Sequence, residues 1–253
     1  MNKRIMELKG VEVWDGNMAN SQALRQADVD VVAAYPITPS TATVENYAMF
    51  HANGYIDGEV MMTESEHAAM SACIGAGAAG GRVATATSSQ GLALMIETLY
   101  QASGMRIPVV LCLVNRALAA PLNVNGDHSD LYLTRDSGWI SIDAFSPQEA
   151  YDMTLMSFKI SEHPEVRLPV ISNQDGFMTS HTAQNVLPLK DDVACKFVGD
   201  YLQVNALLNF DKPVTHGVQT EQDWHFEHKA KQHAALMGSK KVILETFAQF
   251  KEL

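Results

Sequence analysis

Glu66, Thr38 and Arg116 are the side chains best suited, by type and setting, to acid–base chemistry and carboxylate binding. Glu66 lies in the run Thr63-Glu64-Ser65-Glu66-His67-Ala68-Ala69-Met70, where a stretch dense in small residues begins. A carboxyl facing an interface beside Ala69 and Met70 would lose water, which favours its protonated form and fits it for proton transfer. A plainer role competes. Thr63, three residues earlier, completes a capping-box pattern, in which each side chain satisfies a backbone N–H at the helix start. A carboxylate there also suits the helix dipole, and spacing alone favours the cap.

Thr38 sits in Tyr35-Pro36-Ile37-Thr38-Pro39-Ser40, directly after an apolar run. Ligands of open α/β sheets bind outside the carboxyl ends of strands, so its hydroxyl could hold a substrate oxygen. A corner between two prolines would use a threonine equally well. Arg116 follows the apolar run Pro108 to Val114 and precedes Ala117-Leu118-Ala119-Ala120-Pro121. Its planar fork could clamp a carboxylate, but an internal ion pair with Asp127 or Asp130 explains a single arginine as well.

Asn125-Gly126-Asp127-His128-Ser129-Asp130 groups acidic and imidazole side chains, yet the spacing fits no metal loop, and a hydrogen-bonded loop is expected. His225 and His228 read as surface residues. Ser89-Gln90-Gly91 opens a helix after a strand, so its backbone N–H groups could face a ligand. It lacks the full glycine pattern of a dinucleotide site or phosphate loop.

Strand ends must hold these groups. Residues 29 to 35 form a short β-branched run that stops at Pro36, as a buried strand feeding a loop does. Arg82 to Thr87, Ile107 to Val114 and Pro169 to Asn173 read as further strands. Helices are expected over Thr41 to His51, Glu64 to Gly80, Leu92 to Ser103 and Pro147 to Ser161. That alternation predicts an α/β fold, a doubly wound and mostly parallel sheet with helices on both faces. We expect one α/β domain over residues 1–189, then a linker and C-terminal helical arm over 190–253. In the arm Leu236, Ile243, Phe247 and Phe250 recur at helical spacing, a stripe that more often packs on its own domain than on a partner.

A chain of 253 residues with 47% hydrophobic content can bury a sizeable core. Its 18 basic residues are scattered among 29 acidic ones for a net charge of -11, which argues against nucleic acid. The basic start carries no apolar stretch of signal-peptide length and no later run suits a membrane span, so a cytoplasmic protein is expected. Cys73, Cys112 and Cys195 stand too far apart for an iron–sulfur site, which would have to lie on another polypeptide.

Asp15-Gly16-Asn17, Tyr35-Pro36-Ile37-Thr38-Pro39-Ser40, the Glu66 helix, Thr87-Ser88-Ser89-Gln90-Gly91-Leu92 and Asn115-Arg116-Ala117 together resemble the first domain of pyruvate:ferredoxin oxidoreductases. The likeness continues through Gly126-Asp127-His128-Ser129-Asp130, Arg135-Asp136-Ser137-Gly138-Trp139 and Asp175-Gly176-Phe177-Met178-Thr179-Ser180-His181, covering roughly residues 10 to 185.

The resemblance implies a thiamine diphosphate-binding fold of the pyrimidine type and the role of alpha subunit. It implies that Glu66 contacts the aminopyrimidine ring and favours its imino tautomer, and that Thr38 and Arg116 hold the substrate carboxylate. It further implies oxidative decarboxylation of pyruvate with coenzyme A as acyl acceptor and ferredoxin or flavodoxin as electron acceptor. Mg2+ and the [4Fe-4S] clusters would then reside on partner subunits. Those partners would be a beta subunit holding the diphosphate half-site, with gamma and ferredoxin-like delta subunits. Family alpha subunits usually continue into a second α/β domain that this sequence lacks, which leaves a split subunit or a fragment open. Oxidoreductases for 2-oxoglutarate, branched-chain oxoacids or oxalate share the core motifs, and a non-catalytic assembly module is the alternative of another class.

Overall fold

The computed structural model describes residues 4–8, 10–203, 205–217 and 219–253; the basic start at residues 1–3 lies outside them. In chain order the elements are β1 (Glu12–Trp14), α1 (Gly16–Gln26), β2 (Val31–Ala34), α2 (Thr41–Ala52), β3 (Glu59–Met62) and α3 (Glu66–Ala79). They continue as β4 (Val83–Thr87), α4 (Ser89–Gly104), β5 (Val109–Asn115), α5 (Ser129–Tyr132), β6 (Ile140–Ala144) and α6 (Pro147–Glu162). Last come β7 (Val170–Asp175), β8 (Gln184–Val186), α7 (Asp191–Val198) and α8 (Gln222–Lys251).

Six strands form one sheet in the order β3-β2-β4-β5-β7-β6, every neighbouring pair parallel. Burial on both faces explains the apolar runs of its middle strands. Along β5, Val110 and Cys112 point into one core with α1, α2 and α6, while Val109, Leu111 and Leu113 point into another with α3 and α4. The α/β, doubly wound reading is therefore correct. After β2 the chain moves outward to β3 and then returns to place β4 on the other side of β2. This reversal makes the β2–β4 boundary a topological switch point, where ligands of such sheets bind at the carboxyl ends.

On α8, Ala235 and Val242 are buried, and Leu236, Ile243, Phe247 and Phe250 lie against the α1–α6 core. The Phe250 ring meets Phe197 of α7 edge-on at 5.1 Å. Among the described residues no helix is long and apolar enough to cross a membrane.

Candidate active site

The loop after β2 is held from beneath. Buried Asn17, in the first turn of α1, donates through Nδ2 to Pro39 O at 3.0 Å and accepts from Thr43 Oγ1 at 2.8 Å. Ser40 Oγ closes the loop on itself by donating to Ile37 O at 2.8 Å. Gly176 lies so close to this loop and to β5 that a Cβ there would stand 3.1 Å from Pro39 Cγ and closer still to the Asn115 carbonyl. The widely spaced motifs around Asn17, Pro39, Asn115 and Gly176 thus meet at one end of the sheet, and Thr38 is exposed on their rim.

The capping box expected between Thr63 and Glu66 does not form. Ser65 is the N-cap of α3, its Oγ accepting from Ala68 N at 3.1 Å. Thr63 instead donates to Ser65 O at 2.9 Å, near the end of β2. The helix starts at Glu66, two residues after the expected Glu64. Glu66 is therefore relieved of capping, yet it is only 6% exposed and its carboxylate has no hydrogen-bond or ion-pair partner among the described residues. Burying an unpaired carboxylate is costly, so the position is poorly explained by stability alone.

Helix α4 begins at Ser89, three residues before the expected Leu92, and its first turn passes directly beside Glu66. A Cβ at Gly91 would stand 2.7 Å from Glu66 Oε1 and 2.8 Å from its Cγ, so only glycine permits this approach. The neighbouring Thr87 Oγ1 and Ser88 Oγ are buried without partners.

Arg116 follows β5 and is 7% exposed. No side-chain ion pair with Asp127 or Asp130 forms. Its Nη1 donates to Thr38 O and its Nη2 to Gln90 Oε1, each at 2.8 Å, while Nε is buried without a partner. The charge thus rests on two neutral oxygens, with no carboxylate partner among the described residues.

Asp130 does other work. Its Oδ2 accepts from Ser89 N at 2.9 Å and Arg116 N at 3.0 Å, and its Oδ1 from Asn115 Nδ2 and Leu131 N, both at 2.8 Å. Burial pushes this carboxyl above its ordinary value, against the opposing pull of those four N–H groups. One carboxylate therefore ties the end of β5 to the start of α4. The sequence offers Asp130 as an ion-pair candidate and as part of an expected hydrogen-bonded loop, and Gln90 for its backbone; neither residue type marks the specific tie to β5 and α4. Glu66, Gly91, Gln90, Arg116 and Thr38 consequently form one continuous wall across the ends of β2, β4 and β5.

The family described as pyruvate flavodoxin/ferredoxin oxidoreductase, thiamine diphosphate-binding, matches residues 22–248. The chain belongs to this family. Among the oxidoreductase family's curated members, pyruvate synthase subunit PorA of Thermotoga maritima is 48% identical over 94% of this chain and 60% of its own length. PorA of Methanocaldococcus jannaschii is 47% identical over 96% of this chain and 62% of its own. Ketoisovalerate oxidoreductase subunit VorA of Pyrococcus abyssi is 41% identical over 98% of this chain and 62% of its own. The chain spans about 60% of the length of these relatives. A solved 2-oxoglutarate:ferredoxin oxidoreductase from Magnetococcus marinus shares the fold, with a TM-score of 0.75 at 22% identity over 93% of this chain and 46% of that one.

Proposed function

We propose that this chain acts as the alpha subunit of a pyruvate:ferredoxin oxidoreductase (pyruvate synthase) and supplies the pyrimidine half of its thiamine diphosphate site. The observation that carries this reading is the buried Glu66 carboxylate, without a partner among the described residues, lying against Gly91 at the sheet's switch point. A thiamine pyrimidine suits this setting: Glu66 offers an acceptor that no group among the described residues claims, and Gly91 leaves open the space that a Cβ would fill. Residues 1–189 would form the pyrimidine-binding domain, with 190–253 as linker and helical arm.

Glu66 would hold a proton between its carboxylate and a ring nitrogen of the pyrimidine, where low dielectric strengthens the bond. Bound thiamine diphosphate supplies the electron sink that decarboxylation of a 2-oxoacid needs. Arg116 would receive the substrate carboxylate, because its guanidinium keeps a full charge and an unused Nε–H. Thr38 adds a hydroxyl on the same rim. The Mg2+ and diphosphate half-site and the [4Fe-4S] clusters belong, in this reading, to beta, gamma and delta partner subunits. Coenzyme A takes the acyl group, and ferredoxin or flavodoxin the electrons, in the cytoplasm.

The test is pyruvate- and coenzyme-A-dependent reduction of a low-potential dye by this chain purified with its co-purifying partners. Activity that disappears when the partners are removed and returns on mixing supports a shared-site subunit. An intact complex inert toward every 2-oxoacid overturns the reading. The 41% identity to VorA makes 2-ketoisovalerate the second substrate to assay.

A further inference from the structure

The other deeply buried arginines at ion pairs in this chain face carboxylates: Arg25 meets Asp191 at 2.5 Å, and Arg82 meets Glu162 at 2.7 Å. Arg116 is buried to a similar degree but is held by the Thr38 carbonyl and the Gln90 side chain. A guanidinium only donates, so the Gln90 atom facing it must be the amide oxygen. The same oxygen lies 2.5 Å from Ser89 Oγ, which also lies 2.7 Å from Ala117 O. Gln90 Oε1 is thereby held between the Arg116 guanidinium on one side and the Ser89 hydroxyl of α4 on the other.

A glutamate differs from glutamine at this position by one atom and one charge. Within hydrogen-bond reach of Arg116 it would make an ion pair like those of Arg25 and Arg82, and the guanidinium charge would be neutralised by its neighbour. Glutamine aims the fork and leaves the charge unspent.

We propose that Gln90 is a positioning residue for the substrate: its side-chain carbonyl orients the Arg116 guanidinium while keeping that charge available to the carboxylate of a 2-oxoacid. The inference rests on Arg116 being the carboxylate clamp of the proposed function. Gln90 acts through Arg116, so its loss should appear in substrate affinity and not in the chemical step.

The experiment uses the chain in its co-purified complex and compares Gln90→Glu, Gln90→Met and Arg116→Met with the native protein. Two quantities are read: KM against kcat for pyruvate, and the affinity for oxamate, an unreactive carboxylate of pyruvate's shape, by calorimetry. Gln90→Glu should raise KM and weaken oxamate binding by about tenfold or more at about pH 8, with kcat within about twofold. The penalty should persist down to about pH 5.5, because the paired guanidinium holds the new carboxyl below the ordinary glutamate value and so keeps it ionised. The titratable groups around residue 90 are Arg116 beyond β5, Asp130 on α5 and Glu66 on α3. All three are present in the native protein, so comparison with it at each pH cancels their own effects.

Gln90→Glu with KM and oxamate affinity within about twofold of native at about pH 8, alongside a large KM increase in Arg116→Met, overturns the role of Gln90 and leaves the clamp intact. An Arg116→Met complex with native KM overturns the clamp itself. Should Gln90→Glu fail to assemble, Gln90→Met decides: it should raise KM and weaken oxamate binding, and native values for both overturn the proposal.

Discussion

The Glu66 carboxylate rests against the backbone of Gly91, and the distance of 2.7 Å from Oε1 to a notional Cβ leaves no room for even a methyl group. Gly91 also touches Thr87 from the preceding strand, so the first turn of α4 serves as one wall of the Glu66 pocket.

Gly91→Ala should therefore separate activity from stability. Within a helix, alanine gains about 1 kcal/mol over glycine, while overpacking against Glu66 and Thr87 costs about 1–3 kcal/mol. The unfolding midpoint should move little, because these effects oppose each other. Displacing the carboxylate by an ångström should lower dye reduction by about 100-fold. Native turnover in Gly91→Ala would show that the Glu66–Gly91 contact is not part of the working site.

Glu66→Gln tests the carboxylate itself. Because Ser65 and not Glu66 caps α3, the substitution removes no capping bond. Loss of a favourable charge at the helix N-terminus, about 0.3–1 kcal/mol, is offset by relief from burying an unpaired charge. Thermal unfolding of the isolated chain should be unchanged or slightly raised, whereas turnover of the assembled complex should fall by about 100-fold or more. A marked loss of stability would mean that Glu66 has a structural partner after all.

Much of this arrangement was legible in the sequence, for physical reasons that differ between elements. β2 and β5 read as apolar runs, β4 alternates apolar residues with threonine, and β7 opens on the apolar pair Val170-Ile171, as strands packed on both faces do. Edge strand β6, Ile-Ser-Ile-Asp-Ala, exposes Ser141 and Asp143, and β1 and β8 are three residues each; none was anticipated. The capping box at Thr63 misled because its pattern depends on which residue leaves helical geometry. Ser65 does so, with φ -163° and ψ 162°, and no spacing rule identifies it. The tie made by Asp130 was hidden for another reason: three of its four donors are backbone N–H groups, which no sequence pattern marks.

Asp130→Asn addresses that hidden tie. An asparagine turns one of two acceptor oxygens into a donor and sets it against N–H groups that already donate. With the site buried, the loss should be about 2–4 kcal/mol, measured by chemical denaturation. Catalytic assays on whatever folds should show a raised KM for the 2-oxoacid, since Arg116 and Ser89, the residue before Gln90, lose their common anchor. A stability within about 0.5 kcal/mol of native would contradict the four-bond geometry.

Asp152 on α6 offers a pH-linked test away from the site. Burial pushes its carboxyl up to about 6 from an ordinary 3.8, with a smaller push from Glu149 and a partial offset from the Gln148 amide, which donates to Oδ1 at 2.8 Å. In the folded chain the group thus keeps its proton to higher pH than in the unfolded chain. Its contribution is fully present below the unfolded value and is lost as pH rises through about 6. Asp152→Asn keeps an acceptor for Gln148 but removes the titration. The variant should match the native chain near pH 4 and exceed it by roughly 2 kcal/mol above pH 7. Parallel stability curves for the two proteins from acid to neutral pH would show that Asp152 remains hydrated and carries no such penalty.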